Sequence, residues 1–413
     1  MLIRSIALGN LLSFRDASLE MEPLNVLIGP NASGKSNLLE AISLLQAAPR
    51  DLAAAVRVRG GIREWTWKGN TPFVSEPRLE CLLVAPPDGL PMKPYTLLPP
   101  PNPKTQPDEL ECARYILQLN GMGQQLIVAE ERLENEKPLP GQTQPYVYAQ
   151  IKMGTGVLNV VPLDQTEASK RPNRSEAGLS GSVLAERRDP YQFPEITFYA
   201  REFDRIKLYR NWNIGRGSGP RLPQAPDLPN DFLMENGENL VHVLNRMDKD
   251  GSIDKVVGFL QRFYDRFDRL IPNLESGTVQ LFVREKGLSE AIPATWLSDG
   301  TLRLLYLMAI LCHPAPPRLV CIEEPELGMH PDALALIAEA LVDASNRTQL
   351  IVTTHSEALI DALSDRPETV VVCEHDAEKG TSFRRLSKQD LASWLKEYTL
   401  GDLWRKGEIG GKR

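Results

Sequence analysis

The chain opens with two stretches of alternating apolar and polar positions and then turns continuously apolar. Leu2 to Leu8 and Ala17 to Met21 predict half-buried strands, and Leu24-Asn25-Val26-Leu27-Ile28 predicts a short strand covered on both faces. A Gly-rich turn follows, and helical spacing runs from Lys35 to about Ala47, stopped by Pro49. Between about residues 56 and 280 the pattern is less regular, with frequent Pro and Gly and a low-order stretch from Pro86 to Pro107. Within it, Arg114 to Leu119 and Gln125 to Glu131 alternate on either side of Asn120-Gly121-Met122-Gly123, the pattern of a hairpin. The polar runs 164–190 and 215–229 predict mobile loops. Asn236 to Met247 and Ile253 to Leu270 predict helices, the second followed by Pro272. The last third alternates regularly. Helices are predicted over Thr301 to Leu311, Pro331 to Ala344 and Glu357 to Leu363, and strands over Arg318 to Ile322, Leu350 to Thr353 and Thr369 to Cys373. No repeat or sustained heptad is present, so no long coiled-coil arm is expected.

Composition narrows this picture little. The 413 residues are 42% hydrophobic and 24% charged, ordinary values for a globular chain. No run approaches the roughly 20 apolar residues of a membrane span. The charged first residues resemble neither a signal nor a transit peptide, so a cytoplasmic protein without a membrane partner is expected. Cys81, Cys112, Cys312, Cys321 and Cys373 are scattered, which excludes a disulfide framework or a zinc hook and suits a reducing compartment. A net charge of -7 gives no global signature of nucleic-acid binding, so any such role needs a local patch.

The chemistry is concentrated in four short motifs. Gly29-Pro30-Asn31-Ala32-Ser33-Gly34-Lys35-Ser36 fits G-x-x-x-x-G-K-[ST], after a predicted strand and before a predicted helix. In such a loop the backbone N–H groups of Asn31, Ala32, Ser33 and Gly34 cradle phosphates at a helix N-terminus. Lys35 reaches the β- and γ-phosphates, and the Ser36 hydroxyl ligates Mg²⁺. ATP and Mg²⁺ are therefore the expected cofactors. The apolar strand before Glu323-Glu324 ends in two carboxylates. Beside a phosphate loop, Glu323 can hold Mg²⁺ through water and Glu324 can polarise an attacking water. Leu297-Ser298-Asp299-Gly300-Thr301 is by itself only a helix N-cap signal, with Ser or Asp as the cap. Thr354-His355-Ser356 follows a strand, where a histidine can contact a γ-phosphate.

In this order the motifs resemble the ABC-type ATPase heads of the RecF, SMC and OLD-nuclease branch, over residues 1–50 and 290–375. The resemblance implies an α/β P-loop head with a mixed α/β insertion between P-loop and signature motif. The expected division is a discontinuous head of residues 1–55 and 281–413 around an inserted lobe, 56–280. It also implies that Ser298 and Gly300 form a signature loop capping the γ-phosphate held by another copy. Glu324 would be the catalytic acid, His355 the switch histidine, and His330 part of a loop equivalent to the D-loop. Glu323 stands where Asp is more widespread. A head-to-tail homodimer, or higher homo-oligomer, around sandwiched ATP follows from the same resemblance. Asn236-Gly237-Glu238-Asn239-Leu240 and the tail Leu400 to Trp404 are similar to predicted ATPase subunits of phage-defence systems such as Septu and PARIS.

Two rival classes are disfavoured. Transporter ATPases keep a compact helical subdomain between P-loop and signature, whereas here a long stretch of mixed strand and helix intervenes, and Glu326-Leu327-Gly328-Met329-His330 replaces S-A-L-D. A fused nuclease domain does not fit into residues 356–413, so nuclease or toxin activity is expected from an effector partner. Cys373-Glu374-His375-Asp376 reads as a strand running into a turn rather than a metal site. DNA is a candidate partner through Arg201, Arg205, Lys207, Arg210, Arg216 and Arg221, interleaved with Phe203, Tyr209 and Trp212. The alternative is a nucleotide-dependent scaffold or sensor that holds an effector and binds no DNA.

Overall fold

A computed structural model of the chain describes residues 1–69, 76–85, 112–122, 125–138, 142–160, 173–179, 181–275 and 277–410. The stretch Pro86 to Pro107, expected to be low in order, lies outside them. The chain divides into two compact units: 1–22, 30–206 and 373–384 form the first, and 23–29, 207–372 and 385–413 the second.

In chain order the N-terminal elements are β1 (Ile3–Leu11), β2 (Phe14–Glu20), β3 (Leu24–Ile28) and α1 (Lys35–Ala47), all where the hydrophobic pattern predicts them. Next come α2 (Leu52–Val58), α3 (Ile62–Trp65), β4 (Arg78–Val84), β5 (Cys112–Met122), β6 (Gln125–Pro138), β7 (Pro145–Lys152), β8 (Thr155–Val160) and β9 (Asn173–Gly178). These strands form an antiparallel succession in the order β2-β1-β4-β5-β6-β7-β8-β9 within the first unit. The predicted hairpin is β5 and β6, with Met122 opposite Gln125.

Of the polar stretch 164–190, expected to be a mobile loop, residues 164–172 and 180 lie outside the described residues. Its described part holds β9 and the short α4 (Val183–Glu186). The reason is a buried carboxylate: Glu131 on β6 accepts from Tyr115 Oη at 2.8 Å, Ser182 Oγ at 2.7 Å and the Val183 N–H at 2.6 Å. Burial pushes the Glu131 pKa up, and these three donors oppose that shift. The first unit continues with α5 (Pro194–Asp204), whose Pro stands in the first turn.

The second unit adds β10 (Lys207–Tyr209), α6 (Leu240–Lys249), α7 (Ile253–Phe263), β11 (Phe267–Glu275), β12 (Thr278–Glu285) and β13 (Ile292–Pro293). The helix expected to reach Leu270 instead ends at Phe263, and Phe267–Glu275 is a strand. Tertiary pairing overrides the helical spacing there: β11 pairs antiparallel with β12, and as an edge strand it tolerates Pro272 opposite Leu281. Then follow α8 (Asp299–Leu311), β14 (Leu319–Glu323), α9 (Asp332–Ala344), β15 (Gln349–Thr353), α10 (Glu357–Asp361) and β16 (Val370–Asp376). The chain closes with β17 (Gly380–Arg385), which meets β2 in the first unit, and α11 (Leu400–Lys406) in the second.

The sheet of the second unit runs β10-β14-β15-β3-β16 and is parallel throughout. All five residues of β3 and of β15 are buried, the polar Asn25, Gln349 and Thr353 among them, as befits strands of a parallel sheet covered on both faces. In α8 every residue from Leu302 to Leu311 is buried. Fully buried leucines such as Leu302, Leu304 and Leu307 contribute about 1.5–3 kcal/mol each. The tail helix α11 packs Leu400 and Leu403 into the same core, joined by Ile409, so its apolar face is core rather than a docking surface.

Candidate functional site

Three of the parallel strands deliver the predicted chemistry at their C-terminal ends. At the end of β3 the chain enters the loop Gly29–Ser36, and α1 begins at Lys35. Gly29, Ala32 and Gly34 all adopt positive φ, at 149°, 62° and 100°. Such reversals turn successive N–H groups toward one concavity, the geometry of an anion nest. Gly34 is required twice over. Its φ is left-handed, and a Cβ there would lie 2.7 Å from the Thr381 methyl and 2.9 Å from Ser13 Oγ. Thr381 Oγ1 bonds the Ser33 carbonyl at 3.0 Å and Ser13 Oγ at 2.9 Å, so it supports the loop from β17. Lys35 is buried, and its Nζ donates to the Pro30 carbonyl at 2.9 Å across the loop. A cleft of about 490 Å³ in the same unit is lined by Leu12, Ser13, Asn37, Arg59, Trp67 and His375, among others. Asn37, next after Ser36, and Ser13, bonded to Thr381, join this cleft to the loop Gly29–Ser36.

In the second unit, β14 ends at Glu323 and the chain turns sharply at Glu324, whose φ is 47°. A non-glycine residue in this region costs about 1–2 kcal/mol. The surrounding bonds hold it there: the Glu324 N–H donates to the Thr353 carbonyl at 3.0 Å, and Leu327 N–H returns to the Glu324 carbonyl at 3.1 Å. The effect is to bring Glu324 Oε1 within 3.7 Å of His355 Nε2, with both side chains partly open to solvent. His355 is set by Glu326, whose Oε1 accepts from the His355 N–H and from Thr354 Oγ1, each at 2.8 Å. The Glu323 carbonyl accepts from Trp212 Nε1 at 2.6 Å, and Arg303 of α8 lies over the Trp212 ring at 5.3 Å. Burial depresses the pKa of the Arg303 guanidinium.

The structure thus joins Glu324 to His355 directly. Ser298 and Gly300 sit at the start of α8, where Ser298 Oγ caps the helix by accepting from the Thr301 N–H at 3.1 Å. That bond is the N-cap reading of the motif. A Cβ on Gly300 would meet the Gly328 carbonyl at 3.6 Å, which is ordinary contact, so steric need does not explain this glycine. His330 is exposed and lies beside Asp332 at the start of α9. Asn31 to Ser36 belong to the first unit, and Ser298, Gly300, Glu323, Glu324 and His355 to the second. The thiols of Cys321 and Cys373 are buried and pushed up to about 12, so neither is a ready nucleophile.

Sequence reasoning missed Thr381, Glu326, Trp212 and Arg221, whose roles depend on partners distant in the chain. Arg221 corrects an expectation. Counted among residues available to phosphates, it is 3% exposed and bonded to backbone carbonyls. The segment around it is accordingly tied down rather than a mobile loop, and Gln224 pairs with Val279 in both directions. Of the other basic residues, Arg201, Arg205 and Arg216 are exposed, while Lys207 and Arg210 are half-buried at β10.

Comparisons with known proteins find ATPases and SMC heads among the proteins that this chain resembles. A family model described as "AAA domain, putative AbiEii toxin, Type IV TA system" matches residues 179–361, and one described as "AAA ATPase domain" matches residues 1–57. The chain is 27% identical over 181 residues to the Old nuclease of Escherichia phage P2, covering 40% of this chain and 30% of that protein. It is 22% identical over 400 residues to an ATP/GTP phosphatase of Helicobacter pylori, covering 94% and 93% respectively. In fold it is similar to an SMC head bound to the C-terminal winged-helix domain of ScpA, with TM-score 0.57, 12% identity, 94% of this chain and 99% of that one covered. An SMC head from Pyrococcus furiosus matches with TM-score 0.52 and 12% identity, over 96% and 98%.

Proposed function

We propose that this chain, an ABC-type ATPase of the SMC- and OLD-like branch, hydrolyses ATP in a head-to-tail assembly of two copies and couples that cycle to DNA metabolism or defence. The observation that carries the reading is the strained Glu324, held at a strand end within 3.7 Å of His355. Strain of this kind persists where the surrounding structure over-determines it, and it clusters at reacting centres. In this reading the N–H groups of Asn31, Ala32, Ser33 and Gly34 hold phosphates, with Lys35 as the cationic ligand. The cleft beside Asn37 and Trp67 takes the nucleoside. Glu324 receives the proton of the attacking water, and His355 orients on the γ-phosphate.

In this reading Mg²⁺ accompanies the nucleotide. Among the described residues no cluster of three or more His, Cys, Asp or Glu could hold a metal. Magnesium, however, takes its ligands from phosphates, waters and one or two hard oxygens, and Ser36 and Glu323 would supply these. Bound there, the ion neutralises charge on the β- and γ-phosphates.

Two exposed apolar side chains support pairing of two copies. Trp296, two residues before Ser298, is 80% exposed, and Leu327, three after Glu324, is 52% exposed. In a two-fold assembly each nucleotide would lie between Lys35 of one copy and Ser298 of the other. The test mixes inactive Lys35→Ala with inactive Ser298→Arg. Random pairing makes about half the dimers mixed, each with one site carrying both lesions and one intact. If sites act independently, roughly a quarter of wild-type ATPase activity returns. No recovery in single turnover, despite proven subunit exchange, would exclude the shared site.

The DNA half of the reading rests on the exposed arginines. Replacing Arg201 and Arg205 together with Ser is expected to flatten the salt dependence of DNA affinity by about two units. If the wild type fails to bind DNA in low salt, the nucleotide cycle acts instead on a protein effector. The phage relative is a nuclease, of which this chain spans 30%.

A further inference from the structure

We propose that Arg221 is the positioning residue of the signature loop, holding Ser298 in the conformation that reaches a second copy's nucleotide. This rests on the shared-site reading above. Its guanidinium reaches backward and forward at once. Nε donates to the Ile214 carbonyl at 2.6 Å, and Nη1 reaches the carbonyls of Leu297 at 2.6 Å, Ala294 at 3.3 Å and Thr295 at 3.4 Å. Nη2 pairs with the Asp299 carboxylate. One side chain therefore addresses the backbone or side chain of four of the six residues from Ala294 to Asp299.

The loop is otherwise held by the buried side chains of Ala294 and Leu297 and by one short turn. Its single 3-10 turn, Ala294–Trp296, closes with Leu297 N–H on the Ala294 carbonyl at 3.2 Å, and Ser298 then leaves in an extended conformation to cap α8. Trp296 points outward. The Leu297 and Thr295 carbonyls face inward, where unbonded acceptors cost about 1–3 kcal/mol each, and the arginine supplies their donors. Asp299 is 79% exposed on its side chain, so the pair is an anchor at the loop's open end rather than a buried ion pair. Arg221 is itself seated by a turn in which its N–H donates to the Ser218 carbonyl at 3.0 Å, and by the pairing of Gln224 with Val279. A planar fork with five donors satisfies this acceptor set; a lysine ammonium reaches one or two of them.

The test uses full-length Arg221→Met, with Arg221→Lys as the milder variant in every assay should the first not fold. ATP affinity of either variant is expected within about two-fold of wild type, because the phosphate ligands are untouched. ATPase turnover should fall at least about ten-fold for Met and less for Lys. Hydrogen exchange at residues 294–301 of nucleotide-free protein should rise about ten-fold or more, with the amides of α1 unchanged. Mixed with Lys35→Ala, the Arg221 variant should recover roughly a quarter of wild-type activity, as Ser298→Arg does, since it damages only the donated loop. A protein that was merely destabilised would not complement. Wild-type exchange over 294–301 would overturn the proposal, and so would failure to complement where Ser298→Arg succeeds. If neither variant complements, the shared-site reading falls, and the exchange measurement alone decides whether Arg221 positions the loop.

Discussion

Glu324→Gln is expected to bind ATP normally and hydrolyse it about 100 to 10,000 times more slowly, the usual contribution of a positioned general base. The amide keeps the length and planarity of the carboxylate but cannot accept the proton of water. Backbone geometry is not the confounder it would be with a shorter side chain, because glutamine meets the same left-handed φ of 47° that glutamate already tolerates. With hydrolysis blocked, anything that binds the ATP-loaded state accumulates by mass action, so a dimeric species should grow in sizing chromatography with Mg-ATP. No species larger than wild type's, together with unimpaired turnover, would remove Glu324 from the chemistry. Glu324→Gly is the sharper companion. It relieves a conformation that costs a non-glycine residue about 1–2 kcal/mol, so stability should hold or rise while turnover collapses as with glutamine. A residue retained for stability would show the opposite pattern.

The extent to which the sequence discloses this site follows from the range of the interactions involved. The phosphate loop, its strand and its helix were legible because every determinant lies within Leu24 to Ala47: an apolar run, glycines at the reversals, and a helical period. The strands ending at Glu323 and Thr353 were legible for the same reason, being short apolar runs between turn signals. Phe267–Glu275 was not, because its helical spacing is ordinary, and only pairing with Thr278–Glu285 makes it a strand. Thr381 under Gly34, Glu326 under His355 and Trp212 on the Glu323 carbonyl carry no local signature at all. Arg221 is the clearest case. In sequence it is one more cation in a basic stretch; in the fold its guanidinium is buried against the Ile214 and Leu297 carbonyls, and the net charge available to phosphates is smaller than composition suggests.

Lys35→Ala is expected to weaken ATP binding about 10- to 150-fold while leaving the fold intact. The range is the worth of a charge-assisted bond to a charged group, about 1.5–3 kcal/mol, at a factor of ten per 1.4 kcal/mol. The structural half of the prediction is the less obvious one. Lys35 is 5% exposed, so without nucleotide it holds a desolvated ammonium against the Pro30 carbonyl. Removing it takes away the bond to the Pro30 carbonyl at 2.9 Å but also the cost of burying a charge, and the two oppose each other. The loop keeps its shape by other means: Thr381 remains on the Ser33 carbonyl, and the Leu38 N–H remains on the Gly34 carbonyl at 3.1 Å. The melting temperature of nucleotide-free Lys35→Ala should therefore match wild type within a few degrees, whereas the stabilisation that saturating ATP gives wild type should largely vanish. Titration calorimetry and thermal melts on the same preparation check both halves. Undiminished affinity in a folded variant would refute the assignment of loop 29–36 as the phosphate site.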